Sequence, residues 1–230
     1  DVTLLARGSE SLQRALDELP RVDAAQKHGF IAADMNAHAA LRAQVEAVAN
    51  ASAVNILVNN SGGPPGGSAH AAALDDFRIA FNQHLIAAQI ILQAILPGMQ
   101  ASGYGRIINV ISTSVKEPIR NLGVSNTIRG AVASWAKTLA TELGSHGITV
   151  NNVLPGYTRT QRLDQILADR SKASGNSEQQ VAEAMLATVP ARRFAEAAEI
   201  ASAIAFLASP AAGYINGINL PVDGGRTASL

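Results

Sequence analysis

The feature that most constrains this chain is an alternation of two periods. Short β-branched or leucine-rich runs, closed by Gly, Asn, Asp or Pro, take turns with stretches of helical spacing. The runs are Val2–Ala6, "GFIAAD" at 29–34, "VNILVNN" at 54–60, "GRIINVIS" at 105–112, "GITVNNVLP" at 147–155 and "GINLPVD" at 217–223. Apolar residues follow one another in them, which is the pattern of strands buried on both faces. Helical spacing fills about 9–19, 37–50, 74–100, 122–145 and 195–208. Strands joined through helices of this length require right-handed crossovers, hence a parallel sheet with helices on both sides. The expectation is an α/β fold, doubly wound and three-layered (αβα). The segment 160–192, rich in charge, Ser and Gln, breaks the rhythm and is expected to be a helical insertion or mobile lid over a substrate. With 230 residues, 47% apolar and 16% charged, the whole chain 1–230 reads as one domain around one core.

Composition removes several classes of function. A formal net charge of zero without a Lys/Arg run argues against nucleic acid or an anionic membrane surface. The chain has no cysteine, so disulfides, thiolate metal sites and thiol nucleophiles are all excluded, and a cytoplasmic protein is expected. No signal sequence opens the chain, and no apolar run is read as long enough to span a membrane. No metal site is expected.

In an open parallel sheet the ligand crevice lies beyond the carboxyl ends of the strands, so the residues just after each strand carry the information. Arg7 follows the first run, where a basic residue would pair with a ribose 2′-phosphate; this favours NADP, with NAD as the lesser partner. Asp34 and Met35 follow the second, placed to meet an adenine. After the third comes Asn59-Asn60-Ser61-Gly62-Gly63, whose glycines let backbone approach a flat ligand. As an isolated loop it is neither a Walker loop nor a G-x-G-x-x-G.

Four segments, "NILVNNSGG" at 55–63, "GRIINVIS" at 105–112, "GITVNNVLPGYTRT" at 147–160 and "YINGINLPVDGG" at 214–225, resemble the short-chain dehydrogenase/reductase family in order and spacing. The resemblance implies a Rossmann-type sheet and hydride exchange between a nicotinamide dinucleotide and a small-molecule alcohol or carbonyl. It implies that Asn59, Ser61 and Gly62 line the adenine ribose, that Pro155, Gly156, Thr158 and Thr160 hold the nicotinamide end, and that Asp223, Gly224 and Gly225 help to build a tetramer. The chain opens on what resembles the family's second strand. The first strand, its glycine-rich pyrophosphate turn and the first helix are expected to precede Asp1, a unit of about 30 residues.

The family's catalytic positions are where this sequence departs. Ser112 falls on the family's serine, thirteen residues before Ser125. Ser125 occupies the tyrosine position, Arg129 the lysine position and His84 the asparagine position. An arginine stays charged and can reach a ribose hydroxyl or a carbonyl oxygen, but it cannot hand on a proton. A serine hydroxyl is a far weaker acid than a phenol. His84 could move a proton only through water or Ser112, while Tyr157 and Lys116 are alternative donors. The reading is an oxidoreductase of this type, resembling the 3-oxoacyl-carrier-protein reductases, with an altered proton relay. Its rivals are an inactive dinucleotide-binding or scaffold homologue, and a lyase or isomerase using Arg129 as an oxyanion clamp. A homotetramer, or failing that a homodimer, is expected.

Overall fold

The computed structural model describes residues 1–229. The strands are β1 Thr3–Ala6, β2 Gly29–Ala32, β3 Ile56–Asn59, β4 Gly105–Val110, β5 Ile148–Pro155 and β6 Asn219–Val222. Helices α1 Ser9–Asp17, α2 His38–Ala51, α3 Leu74–Phe81, α4 Ala87–Ser102 and α5 Gly123–Leu143 separate the first five strands, and α6 Gln161–Ser174, α7 Glu178–Ala187 and α8 Ala197–Ala208 precede the last. Each expected strand and helix is present in order. The presumed lid segment folds as α6 and α7, packed together through Leu163, Val181 and Met185 with Phe194 and Tyr157.

Every strand pairing is parallel, but the sheet comes in two pieces. β1 pairs with β2, while β3-β4-β5-β6 form a separate sheet. Both pieces pack on one core, where Leu5, Ile31 and Leu57 meet Leu41 and Val45 of α2 and Ile91, Ile95 and Met99 of α4. β1 and β3 do not bond to each other, and Ile56 and Val58 on β3 are exposed. A second cluster covers the other face, with α8 delivering Ile200 and Leu207 onto Ile108 and Val153.

One expectation about apolar length is corrected. α3 and α4 join through a turn of π-helix at Asn82–Ile86 into a single helical run, Leu74–Ser102, which by length and composition alone could cross a membrane. Here Ala87, Leu92, Ile95 and Met99 of that run are fully buried against the sheet and α2. Sequence reading gave a helix at about 74–100 but counted unbroken apolar runs, and Asp75, Asp76 and Arg78 break the run at its start.

Tight turns bring the strand ends together where the backbone demands glycine. Gly147 sits at φ +72°, and a side chain there would approach Gly103 O to 2.2 Å. A side chain on Gly156 would come within 2.7 Å of the Asp223 Cα, so the ends of β5 and β6 touch at that point.

Candidate functional site

A ladder of asparagines crosses four strands, level with the carboxyl end of β3. Asn59, Asn109, Asn152 and Asn219 are register partners on four adjacent strands. Asn59 Nδ2 donates to Asn109 Oδ1 at 2.9 Å, Asn109 Nδ2 to Asn152 Oδ1 at 2.9 Å, and Asn152 Nδ2 to Asn219 Oδ1 at 2.8 Å. Side chains of registered residues point to one face of a sheet, so four amides at this level can satisfy one another in a row. The Asn59 side chain therefore fixes the end of β3, leaving the loop beyond it to meet a ligand.

That loop is held by two further contacts. Ser61 Oγ and His84 Nδ1 share a hydrogen bond of 2.6 Å, and Arg129 Nη2 donates to Ser61 O at 3.2 Å. The other terminal nitrogen, Nη1, donates to Val110 O at the end of β4, 3.0 Å away. Arg129 is 8% exposed and His84 6%. Burial pushes the Arg129 pKa down to about 10, so it remains a cation near neutrality. His84 falls from 6.5 to about 4, through burial first and the nearby Arg129 charge second, and is therefore neutral. Its Nε2 is buried without a partner among the described residues.

These positions change the roles the sequence suggested. His84 sits on the π-helical turn, which aims it at Ser61 rather than at Ser112. Two nitrogens of Arg129 are bonded to backbone carbonyls, so the guanidinium braces the ends of β3 and β4 and is not free to move toward a ligand. Ser125 lies one turn before Arg129 on α5, half-buried, its side chain without a hydrogen bond among the described residues. The N-terminus of α5 is clamped on the glycine-rich loop: Gly67 N donates to Asn121 O at 2.7 Å and Gly123 N to Gly67 O at 2.9 Å. Beside this clamp lies a cavity of about 280 Å³ lined by Gly66, Ser68, Ala72, Asp76 and Val124.

Ser112 ends the β4 run, and its Oγ caps the next turn by accepting from Ser114 N at 3.1 Å. Lys116 follows in this segment and is itself engaged. Pro155 closes β5, and Gly156 N donates to Val222 O at 2.9 Å. The Thr158 and Thr160 hydroxyls turn back on their own loop, donating to Gly156 O and Thr158 O at 3.2 and 3.3 Å. Tyr157 packs edge-on against Phe194 and carries the Arg226 guanidinium over its ring, 4.7 Å from the centroid. At the other wing of the sheet Arg7 is exposed at the end of β1 and pairs with no carboxylate among the described residues. Asp34 Oδ1 accepts from Asn36 N at 2.9 Å in a local turn, and Met35 packs on the main core.

Sequence reading missed three members of the asparagine ladder and Arg226. The ladder had a signal, an asparagine within each of four apolar runs. Arg226 had none, because its neighbours are brought to it only by folding. No metal-binding cluster occurs among the described residues.

Residues 2–227 match the family model described as enoyl-(acyl carrier protein) reductase. The chain is 30% identical over 177 residues to the NADPH-dependent reductase BacG of Bacillus subtilis, covering 77% of this chain and 68% of that protein. It is 39% identical over 174 residues to the 3-oxoacyl-[acyl-carrier-protein] reductase FabG of Vibrio cholerae, covering 75% of this chain and 66% of that protein. The matches thus span about two thirds of these relatives. Among solved structures, L-sorbose reductase from Gluconobacter frateurii, complexed with NADPH and L-sorbose, superposes with a TM-score of 0.91 at 29% identity, over 99% of this chain and 87% of that one.

Proposed function

The chain belongs to the short-chain dehydrogenase/reductase family, and on that premise we propose that it is an NADP-dependent oxidoreductase with an altered proton relay. Its substrate is a small carbonyl compound, 3-oxoacyl-like, or the corresponding alcohol, and its setting is cytoplasmic. The observation that carries this reading is the loop after β3. Asn59, His84 and Arg129 hold it rigid, while Gly62 and Gly63 have nothing within 4 Å of where a side chain would stand. A fixed loop with open space above its backbone is a cradle for a flat ligand. The residues present fit a nicotinamide dinucleotide: Arg7 would meet its 2′-phosphate, the loop its adenine ribose, and Pro155 and Gly156 its nicotinamide end. When bound, the cofactor supplies or accepts the hydride.

Within this chain, Ser112 polarises the carbonyl through its hydroxyl, and Arg129 fixes the loop and adds positive potential without giving up a proton. Ser125 orients the substrate oxygen. His84, neutral at working pH, can accept a proton but has none to give as a cation. The single test is titration of the full-length protein with NADPH and NADH, followed by NADPH consumption with a panel of ketones. Absence of NADPH binding refutes the reading.

A second reading, a dinucleotide-binding homologue without turnover, is favoured by one observation. None of Ser125, Arg129 and His84 is a proton donor that titrates near neutrality. NADPH binding without consumption on any carbonyl would select it. The lyase reading loses ground, since the proposed oxyanion clamp already bonds Val110 O and Ser61 O.

A further inference from the structure

Residues 223–229 return over the Ser112 end of the sheet. After β6 the backbone turns at Asp223-Gly224-Gly225, with both glycines at positive φ (+66° and +84°). Asp223 Oδ1 accepts from Gly225 N at 3.0 Å and Oδ2 from Thr227 N at 2.8 Å. Beyond them Glu117 Oε1 accepts from both Ala228 N and Ser229 N, each at 2.8 Å. Four peptide N–H groups are thereby held by two carboxylates. Partial burial would raise the Asp223 pKa, but the hydrogen bonds from Thr227, Gly225 and Arg226 outweigh it and hold the carboxyl below its ordinary value.

The residue that this scaffold positions is Arg226. Its Nη1 lies 3.4 Å from Oγ1 of Thr113, the immediate neighbour of Ser112, and its Cζ lies over the Tyr157 ring next to Pro155 and Gly156. The side chain is half-buried, and its Nε is fully buried without a partner. Among the described residues no carboxylate pairs with it: both oxygens of Asp223 and Oε1 of Glu117 accept from peptide groups. A fixed, partly desolvated guanidinium lacking a counter-charge favours an anion, and its planar fork suits a carboxylate.

We propose that Arg226 is a specificity-determining residue that binds the carboxylate of an oxo acid whose carbonyl lies against Ser112. This rests on the oxidoreductase reading and narrows its substrate class. Arg226 touches Thr113, which follows Ser112 in the chain, and lies over Tyr157, which follows Pro155 and Gly156, and a neutral ester or ketone would leave the cation unanswered.

The test is titration calorimetry on the NADPH-loaded full-length protein, with acetoacetate and methyl acetoacetate as a matched pair. The wild type is expected to bind the acid about tenfold or more tightly than the ester, as a charge-assisted contact implies. Arg226→Gln should bring the ratio to within about twofold, and Arg226→Lys should keep part of it, since one point charge remains. Glu117→Gln, which loosens the tail without removing the guanidinium, should weaken both ligands alike and leave the ratio standing. No preference in the wild type, no measurable binding of the acid, or a preference surviving Arg226→Gln overturns the proposal. Failure of the underlying reading looks different: NADPH does not bind, or the acid binds and NADPH is not consumed.

Discussion

At the scale of residues, substitutions at Arg7, His84 and the Ser125–Arg129 pair expose three separate pieces of chemistry. Arg7 stands alone at the end of β1, so Arg7→Asp should reverse the order of affinity from NADP(H) over NAD(H) to the opposite; equal affinities in the wild type by calorimetry would remove the argument. The second response concerns pH. His84 has a folded pKa of about 4 against 6.5 unfolded, so the unfolded chain binds the extra proton first as pH falls. Its stability contribution is complete above pH 6.5 and is lost between 6.5 and about 4, by at most about 3 kcal/mol. Urea midpoints across that range should slope downward in the wild type and less so in His84→Asn. The third concerns the missing phenol. Ser125→Tyr with Arg129→Lys places a stronger acid beside an ammonium and should raise NADPH-dependent reduction of a generic ketone by about a hundredfold, the low end of what general acid catalysis supplies. The same pair should lower the melting temperature, because lysine cannot reproduce two well-separated contacts to Val110 O and Ser61 O. A double variant that binds NADPH normally yet gains nothing would show that the site has diverged beyond its proton donor.

At the level of elements, the asparagine ladder makes an ordered prediction. Asn109 lies inside the row at 1% exposure, and Asn109→Ala strands both Asn59 Nδ2 and Asn152 Oδ1. Asn59→Ala at the end of the row strands only Asn109 Oδ1. Losses of about 2–4 and about 1–2 kcal/mol are expected respectively, read from denaturant midpoints, and equal losses would mean that the amides act independently. The ladder also marks the limit of what the sequence could convey. Strands and helices are local patterns, so "IINV" and "VNNV" announced themselves. That their asparagines stand side by side depends on strand register, which is a pairing between distant segments. Ser112 was named only through the family resemblance, thirteen residues before Ser125. The contacts of His84 and Arg129 were not legible: one lies on a π-helical turn against Ser61, and the other is bonded to a carbonyl at the end of β4 and one in the loop after β3.

For the whole molecule, the faces left uncovered point to self-association. The run Leu74–Ser102 is only partly buried, with Leu74 at 72% and Ile79 at 54% exposure. On the opposite side Phe206 of α8 is 49% exposed, and Tyr214, just before β6, has no cover at all. Exposed apolar side chains on two separate faces are what a molecule with two kinds of two-fold contact would present, because each isologous contact needs its own self-complementary patch. One such face closes a dimer; two that are independent close a tetramer. The expected state of the full-length protein is therefore a homotetramer, or failing that a homodimer, by light scattering at micromolar concentration. Ile79→Asp and Phe206→Asp should each remove one contact, leaving dimers with different surviving interfaces, and the double variant should be a monomer. Either substitution sits on an exposed side chain away from the Ser112 crevice, so the fold should survive both, which circular dichroism would check. A wild-type monomer under these conditions would refute the assembly, and the apolar faces would then need another partner.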